Sequence, residues 1–240
     1  MPALELESVS SGYGRTTVLR NIDLTVPLSS VTALLGANGA GKSTALSTAS
    51  GLIRPNRGRV RMNGDDVTRL PPSKRARLGL CHIPEGRAIF RSLTVRENLQ
   101  LHAPSGVPVA MDEAVEAFPV LGRRIKQVAG TLSGGEQQML AVARTFVNDP
   151  KVVMVDEASL GLAPLVVDAM FEFLMKMRGR GAALLIVDQF VARALSLADK
   201  VYVLSLGEIV FTGTPEEFSR GDLFERYFGD LQEDIGSGRN

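Results

Sequence analysis

Hydrophobic residues along this chain follow three spacings. Short, almost unbroken apolar runs occur at Val31–Leu35, Leu78–Ile83, Val152–Val155 and Ala182–Val187, and each reads as a strand. Looser alternation marks the start of the chain. Leu4, Leu6 and Val9 alternate before SGYG interrupts, and Leu19, Ile22, Leu24 and Val26 repeat the pattern within Val18–Val26. Pro27 and Ser29–Ser30 then turn the chain into Val31. Helical spacing appears in Ala45–Leu52, which Gly51 helps to end, and in Leu140, Val142, Ala143, Phe146 and Val147. It returns in Pro164–Arg178, with Val166, Val167, Met170, Phe171, Leu174 and Met175 expected inside, and again in Val191–Leu197 and from Pro215 to Phe228. Asn63–Gly64 and Leu206–Gly207 sit between apolar segments as hairpin turns, the first following a short strand at Arg59–Met62.

The middle of the chain, about Ser92–Val147, has helix signals and little strand signal. Thr94 and Glu97 have the spacing of a capping box, and MDEAVEAFPVLGRR is mostly helical, with Pro119 disturbing it. The expectation is one α/β unit over residues 1–240 with a helical subdomain inserted at about 92–147. The polar C-terminal stretch GDLQEDIGSGRN is expected to fray.

Composition narrows the class. The balance of 27 basic and 26 acidic residues, net +1, gives no electrostatic case for nucleic acid. No uncharged apolar run is long enough to span a bilayer, and MPALELESVS does not read as a signal peptide. The lone cysteine, Cys81, excludes an internal disulfide and suits a reducing compartment. Arg54, Arg57, Arg59 and Arg61 form a basic cluster, but Asp65 and Asp66 follow and no aromatics are interleaved, so a solvated face is expected.

Candidate chemistry concentrates in three places. Gly36–Thr44, GANGAGKST, fits the phosphate-loop pattern between a predicted strand and a predicted helix. Gly36, Asn38, Gly39, Ala40 and Gly41 would present backbone N–H groups to phosphates. Lys42 reaches the β and γ phosphates, Ser43 offers its hydroxyl to Mg²⁺, and Thr44 adds a phosphate hydrogen bond. The strand Val152–Val155 ends at Asp156 and Glu157. In a phosphate-loop fold, the first acid can hold a magnesium-bound water and the second can polarise the attacking water. An extended backbone would point the two acids to different sides. LSGGEQQ, Leu132–Gln138, sets Ser133, Gly134 and Gly135 at a helix start, a second potential anion site. These features predict a Mg²⁺-dependent nucleotide triphosphatase.

With those motifs in hand, the chain resembles the ATP-binding-cassette ATPases over essentially its whole length. Tyr13 matches the aromatic that stacks on adenine, Gly36–Thr44 Walker A, Leu132–Gln138 the family signature and Val152–Glu157 Walker B, while Ser159–Leu162 falls where the D-loop lies. The resemblance implies a P-loop NTPase fold: a RecA-like core, an antiparallel β subdomain and a helical subdomain. It also implies a head-to-tail pair of cassettes, in which Ser133 serves the partner's ATP. Glu85 stands at the magnesium-sensing glutamine loop. Gln189 stands at the switch position, commonly histidine, which neither His82 nor His102 can fill.

IPEGRAIFRSLTVRENL, DEASLGLAP and IVDQFVARALSLADKVYVLSLGEIVFTG look like one of the two ATPases of bacterial branched-chain amino acid importers, with Ala158 in place of proline. By that resemblance, ATP hydrolysis energises import of hydrophobic amino acids. The partners would be two transmembrane permeases, a second ATPase or a second copy, and indirectly a periplasmic or lipid-anchored binding protein. The chain would sit peripherally at the cytoplasmic face of the inner membrane. Importers of urea or short amides are the nearest alternative. A DNA- or ribosome-directed cassette is disfavoured because no long heptad stretch separates Lys42 from Ser133 and the chain holds one cassette.

Overall fold

The four short apolar runs form adjacent parallel strands of a six-stranded sheet. The computed structural model describes residues 1–84, 89–101, 109–146, 150–159, 162–187 and 191–220. Strands β1 (Pro2–Tyr13), β2 (Thr16–Pro27), β4 (Arg57–Met62) and β5 (Asp65–Asp66) make a four-stranded antiparallel sheet in the order β2-β1-β4-β5. Strands β3 (Val31–Leu35), β6 (Leu80–Ile83), β7 (Val152–Asp156), β8 (Ala183–Val187), β9 (Lys200–Ser205) and β10 (Glu208–Gly213) make the larger sheet, ordered β10-β9-β3-β8-β7-β6. All its pairings are parallel except the β9–β10 hairpin.

Every residue of β3, β7 and β8 is buried, because helices and the smaller sheet cover both faces of this one. The period of two still operates inside these runs. Val152, Met154, Leu185 and Leu204 pack toward α1 (Lys42–Ser50) and the antiparallel sheet. Val153, Val155, Leu184 and Ile186 pack on the opposite face, with α6 (Gly134–Phe146) and α7 (Pro164–Gly179). The carboxyl ends of the parallel strands therefore open on one edge, where ligands of such sheets bind.

Most element boundaries match the sequence reading to within a few residues, and the differences have physical causes. SGYG does not break the first strand. β1 runs on to Tyr13 and absorbs the irregularity as register shifts against β2. Short helix α2 (Pro72–Arg77) was not foreseen, and it takes Leu78 out of the following strand as its C-cap. In α7, Phe173 and Met177 are fully buried, whereas Val166 and Met175 are only half-buried. Asn63–Gly64 and Leu206–Gly207 are two-residue turns with both φ angles positive, as their hairpins require.

Between β6 and β7 come α3 (Val95–Gln100), α4 (Val109–Ala117), α5 (Pro119–Arg123) and then α6. α4 and α5 meet at Phe118–Pro119, so the proline starts a new helix rather than bending one. The Thr94 capping box forms in full: Thr94 N donates to Glu97 Oε2 at 2.7 Å and Glu97 N to Thr94 Oγ1 at 3.2 Å. Two further helices close the other side, α8 (Val191–Leu197) and α9 (Pro215–Arg220). The expected helix to Phe228 extends beyond the described residues. Among those described, no helix is long and apolar enough to cross a membrane.

Candidate active site

Residues 36–41 follow β3 and lead into α1, so the loop is held at the open edge of the sheet. Its shape depends on glycine at two points. Gly36 has φ +154°, and a Cβ there would lie 2.2 Å from the carbonyl oxygen of Leu204 on β9. Gly41 has φ +111°, and a Cβ there would press on Leu19 of β2 at 2.9 Å. The β9–β10 turn also holds the loop, since Gly207 N donates to Ala40 O at 3.0 Å. Ala40 is buried, whereas Asn38 and Gly39 are exposed.

α1 begins without a side-chain cap and without an acidic residue in its first turn. Its first amides are thus left for an anion, in the field of a helix N-terminus. Lys42 is buried; its Nζ donates to Gly36 O at 2.9 Å and to Ala37 O at 3.1 Å, and lies 4.0 Å from Glu157 Oε1. Burial lowers the Lys42 pKa, while Glu157 and Asp156 oppose that shift. Thr44, the third residue of α1, is buried in its first turn.

Asp156 is the last residue of β7, two strands from β3 with β8 between them. It is buried, and Ser43 Oγ donates to its Oδ1 at 3.2 Å. Two hard oxygen donors therefore converge at the start of α1. Among the described residues no group of three or more His, Cys, Asp or Glu could hold a metal. A two-donor set of this kind fits Mg²⁺, which keeps waters and takes phosphate oxygens rather than an all-protein cage.

Glu157 corrects one expectation. Its backbone is not extended but left-handed, with φ +45°, and its N–H donates to Val187 O at 2.8 Å. The two acids therefore do not point to different sides: Asp156 meets Ser43 and Glu157 lies against Lys42, so the turn brings both to the start of α1. A non-glycine residue held in this region stores of order 1–3 kcal/mol, a cost that clusters at functional positions. Nothing in the sequence signalled it.

The remaining candidates are distributed unevenly. Tyr13 closes the β1–β2 hairpin opposite Thr16 and is 59% exposed, as an aromatic that receives a ligand must be. Its strand partner β2 carries Val18 and Leu19, which flank Gly41. Ser133, Gly134 and Gly135 lie at the start of α6, and no hydrogen bond joins them to residues 36–44. Glu85 and Gln189 lie outside the described residues, as do Leu160 and Gly161 of the D-loop stretch and His102. In the chain, Glu85 follows β6 and Gln189 follows β8. Burial pushes the His82 imidazole down to about 4 and the Cys81 thiol up to about 12.

Sequence reasoning missed Arg75. It is fully buried, and its guanidinium donates to Thr48 O at 2.9 Å, Ala49 O at 2.7 Å, Thr68 O at 3.0 Å and Leu70 O at 3.1 Å. It thereby caps the C-terminal turn of α1, the helix whose N-terminus has no side-chain cap. Inside the string KRAR it carries no mark that sets it apart from its neighbours.

A phosphate loop between a central parallel strand and a helix, facing an acid from a neighbouring strand end, defines a P-loop nucleotide triphosphatase. A family model described as ABC transporter matches residues 19–160. The chain belongs to that family, as its ATPase domain. It is 41% identical to a high-affinity branched-chain amino acid transport ATP-binding protein, BraG, of Pseudomonas aeruginosa, across 88% of this chain and 92% of that one. A probable branched-chain amino acid transport ATP-binding protein, LivF, of Archaeoglobus fulgidus is 38% identical, covering 93% and 97%. A solved ATP-binding subunit of an ABC transporter superposes with a TM-score of 0.84 at 27% identity, covering 97% of this chain and 99% of that one.

Proposed function

We propose that this chain is the ATP-hydrolysing subunit of an importer of branched-chain, hydrophobic amino acids. The observation that carries the chemistry is the meeting of Lys42, Ser43, Asp156 and Glu157 at the mouth of the loop between β3 and α1. The 41% and 38% identities to two branched-chain amino acid transport ATP-binding proteins support the cargo.

In this reading the amides of Gly36, Asn38, Gly39, Ala40 and Gly41, with Thr44, hold the phosphates of ATP. Lys42 leaves the loop carbonyls to neutralise the β and γ phosphates. Ser43 and Asp156 would hold Mg²⁺, with Glu85 reaching its water shell. Bound there, the ion neutralises charge on the phosphate oxygens. Glu157 accepts a proton from the attacking water, and its turned backbone fixes where that carboxylate points. Gln189 donates a hydrogen bond to the γ-phosphate and positions the water, but has no proton to relay. Tyr13 stacks on the adenine. Ser133, Gly134 and Gly135 complete the site of a partner cassette, either a second copy or a sister ATPase.

The chain would work beneath two permease subunits, peripheral to the cytoplasmic face of the inner membrane, with the helical subdomain at about 92–147 carrying the signature. A substrate-binding protein would deliver the amino acid on the far side.

Reconstituting the chain with its permeases and binding protein in proteoliposomes tests the proposal. ATP hydrolysis should rise when the binding protein carries leucine, isoleucine or valine. Stimulation by urea or a short amide, with no response to those amino acids, overturns the cargo and leaves the ATPase chemistry standing.

A further inference from the structure

The antiparallel sheet carries a second concave site that the ATPase chemistry does not use. A cavity of about 610 Å³ opens between residues 54–59 and 66–70. Arg54, Arg57, Arg59 and Arg69 line it, with Asp66 and Thr68. All four arginines are exposed, and among the described residues none of them forms an ion pair. Neighbouring Arg61 is different: its Nε lies 2.8 Å from Glu7 Oε1, at an angle outside hydrogen-bond geometry. A solvated face accounts for the exposure of the arginines but not for their convergence on one hollow.

Among the described residues Asp66 is the one carboxylate in the lining, and it offsets only part of the charge, with Arg59 and Arg61 acting on it as minor contributions. Asp66 is committed to its own turn, accepting from Thr68 N at 2.9 Å, and hydrogen bonds from Thr68 hold its carboxyl below the usual carboxylate range. The wall is also built in advance. Thr68 Oγ1 accepts from Val60 N at 2.9 Å, and Arg75 grips Thr68 O and Leu70 O from behind. A preformed wall spares a ligand the cost of ordering it. Four cationic side chains around one hollow leave a positive imbalance that an entering anion would offset. The planar guanidinium fork matches phosphate oxygens two at a time. Among the described residues no aromatic lines the cavity, so affinity would rest on phosphates and not on a stacked base. A net charge of only +1 on the whole chain makes an extended nucleic acid a poor occupant.

We propose that this cavity is a second anion site, distinct from the phosphate loop, that binds a compact group carrying clustered phosphates, whether a free polyphosphate or a phospholipid headgroup. Arg75 ties its wall to the C-terminal turn of α1, whereas the phosphate loop lies at the N-terminus. The two anion sites are thus separated by the length of that helix, about 13 Å.

The test uses the full chain carrying Lys42→Ala, which weakens phosphate binding at the loop, titrated calorimetrically with inorganic tripolyphosphate without added metal. Saturable binding is expected. It should weaken roughly tenfold or more when Arg57→Ala and Arg59→Ala are added, and weaken with rising salt. Unchanged thermal unfolding of the arginine variant checks that it is folded. A second arm floats the chain on cardiolipin vesicles, whose headgroup carries two phosphates, against phosphatidylcholine vesicles. Arginine-dependent flotation without tripolyphosphate binding assigns the site to a headgroup; tripolyphosphate binding without flotation assigns it to a free phosphate compound. Binding that ignores the arginines, or none in either arm, overturns the proposal.

Discussion

Two helices in this chain start where an anion could be received, and their starts are built in opposite ways. α1 begins uncapped at Gly41, with a buried lysine as its first residue and no acid in its first turn. α6 begins behind an exposed serine whose capping box is closed. Ser133 N donates to Glu136 Oε2 at 2.8 Å, Glu136 N donates to Ser133 Oγ at 3.3 Å, and Glu136 is held by Arg124 at 2.7 Å. One terminus keeps its amides unspent inside the protein. The other satisfies its own groups at the surface and carries a negative charge beside them. The contrast separates a helix start with free amides, fit to take a phosphate within one chain, from one whose groups would have to be released before it could take another.

The largest effect expected is on what holds α1 in place. Arg75→Met removes four hydrogen bonds to carbonyls, two of them buried in the last turn of α1 and two part-buried at Thr68 and Leu70. Charge-assisted bonds of this kind are not additive, and a cost of about 3 kcal/mol is expected. At this chain length that lowers Tm by roughly 6–12 °C. Thermal unfolding of the purified chain measures it. A shift within about 2 °C would mean that the loop and strands hold α1 without its C-terminal clamp.

Glu157→Gln comes next. It should keep ATP binding and slow turnover roughly 10²-fold or more, about 2.7 kcal/mol of barrier. The same variant should stay monomeric without nucleotide and associate with ATP, as copies or with the sister ATPase. Steady-state hydrolysis in the assembled transporter and light scattering of the isolated chain read the two outcomes. Full activity would remove Glu157 from the role of base, and scattering that ATP leaves unchanged in both pairings would count against a shared site.

How much of this was legible beforehand divides along the same line. The phosphate loop could be read because a contiguous string meets every local requirement at once: glycines for the turns, lysine for charge and a hydroxyl for the metal. The buried strands could be read because runs such as Val152–Val155 tolerate no polar residue on either face. Their acids could also be read, but not the left-handed turn at Glu157. That turn is imposed by pairing with Val187, a contact with a strand far along the chain. Arg75 was hidden for the same reason, since its partners come from α1 and the segment after β5. The arginine cavity was half-visible. The cluster Arg54, Arg57 and Arg59 was there to see, but Arg69 joins it only once β4 and β5 fold back on each other. The opposite use of the two serines, Ser43 and Ser133, was not visible at all, because the same residue type serves a carboxylate in one place and a helix cap in the other.

Ser133→Ala sharpens the comparison at the exposed end. Losing the cap should cost about 1 kcal/mol and lower Tm by roughly 2–4 °C. ATP affinity of the isolated chain should not move, because the phosphate loop is intact. ATP-dependent association of the Glu157→Gln background should weaken. If affinity in the isolated chain falls with the cap, the two helix starts are coupled within one molecule and the contrast between them fails.

The smallest and most discriminating change is Glu136→Gln. Burial works against a charge there, but hydrogen bonds from Ser133 and Arg124 outweigh it and hold the carboxyl below the usual carboxylate range. At neutral pH it is therefore a carboxylate, and it stabilises the helix start by about 0.3–1 kcal/mol. Glutamine keeps an acceptor for Ser133 N but loses the charge and the Arg124 ion pair, so the folded chain should be destabilised by less than about 1 kcal/mol. Association has the opposite sign. A phosphate arriving from a partner cassette would meet this carboxylate, and removing a like charge favours its approach. ATP-driven association of the double variant Glu157→Gln/Glu136→Gln should thus be roughly 2–5-fold tighter than that of Glu157→Gln alone, measured by sedimentation at low salt. Raising the ionic strength should shrink the difference. Equal or weaker association at every salt concentration would mean that no phosphate comes near Glu136, and that the capping box at the start of α6 only ends a loop.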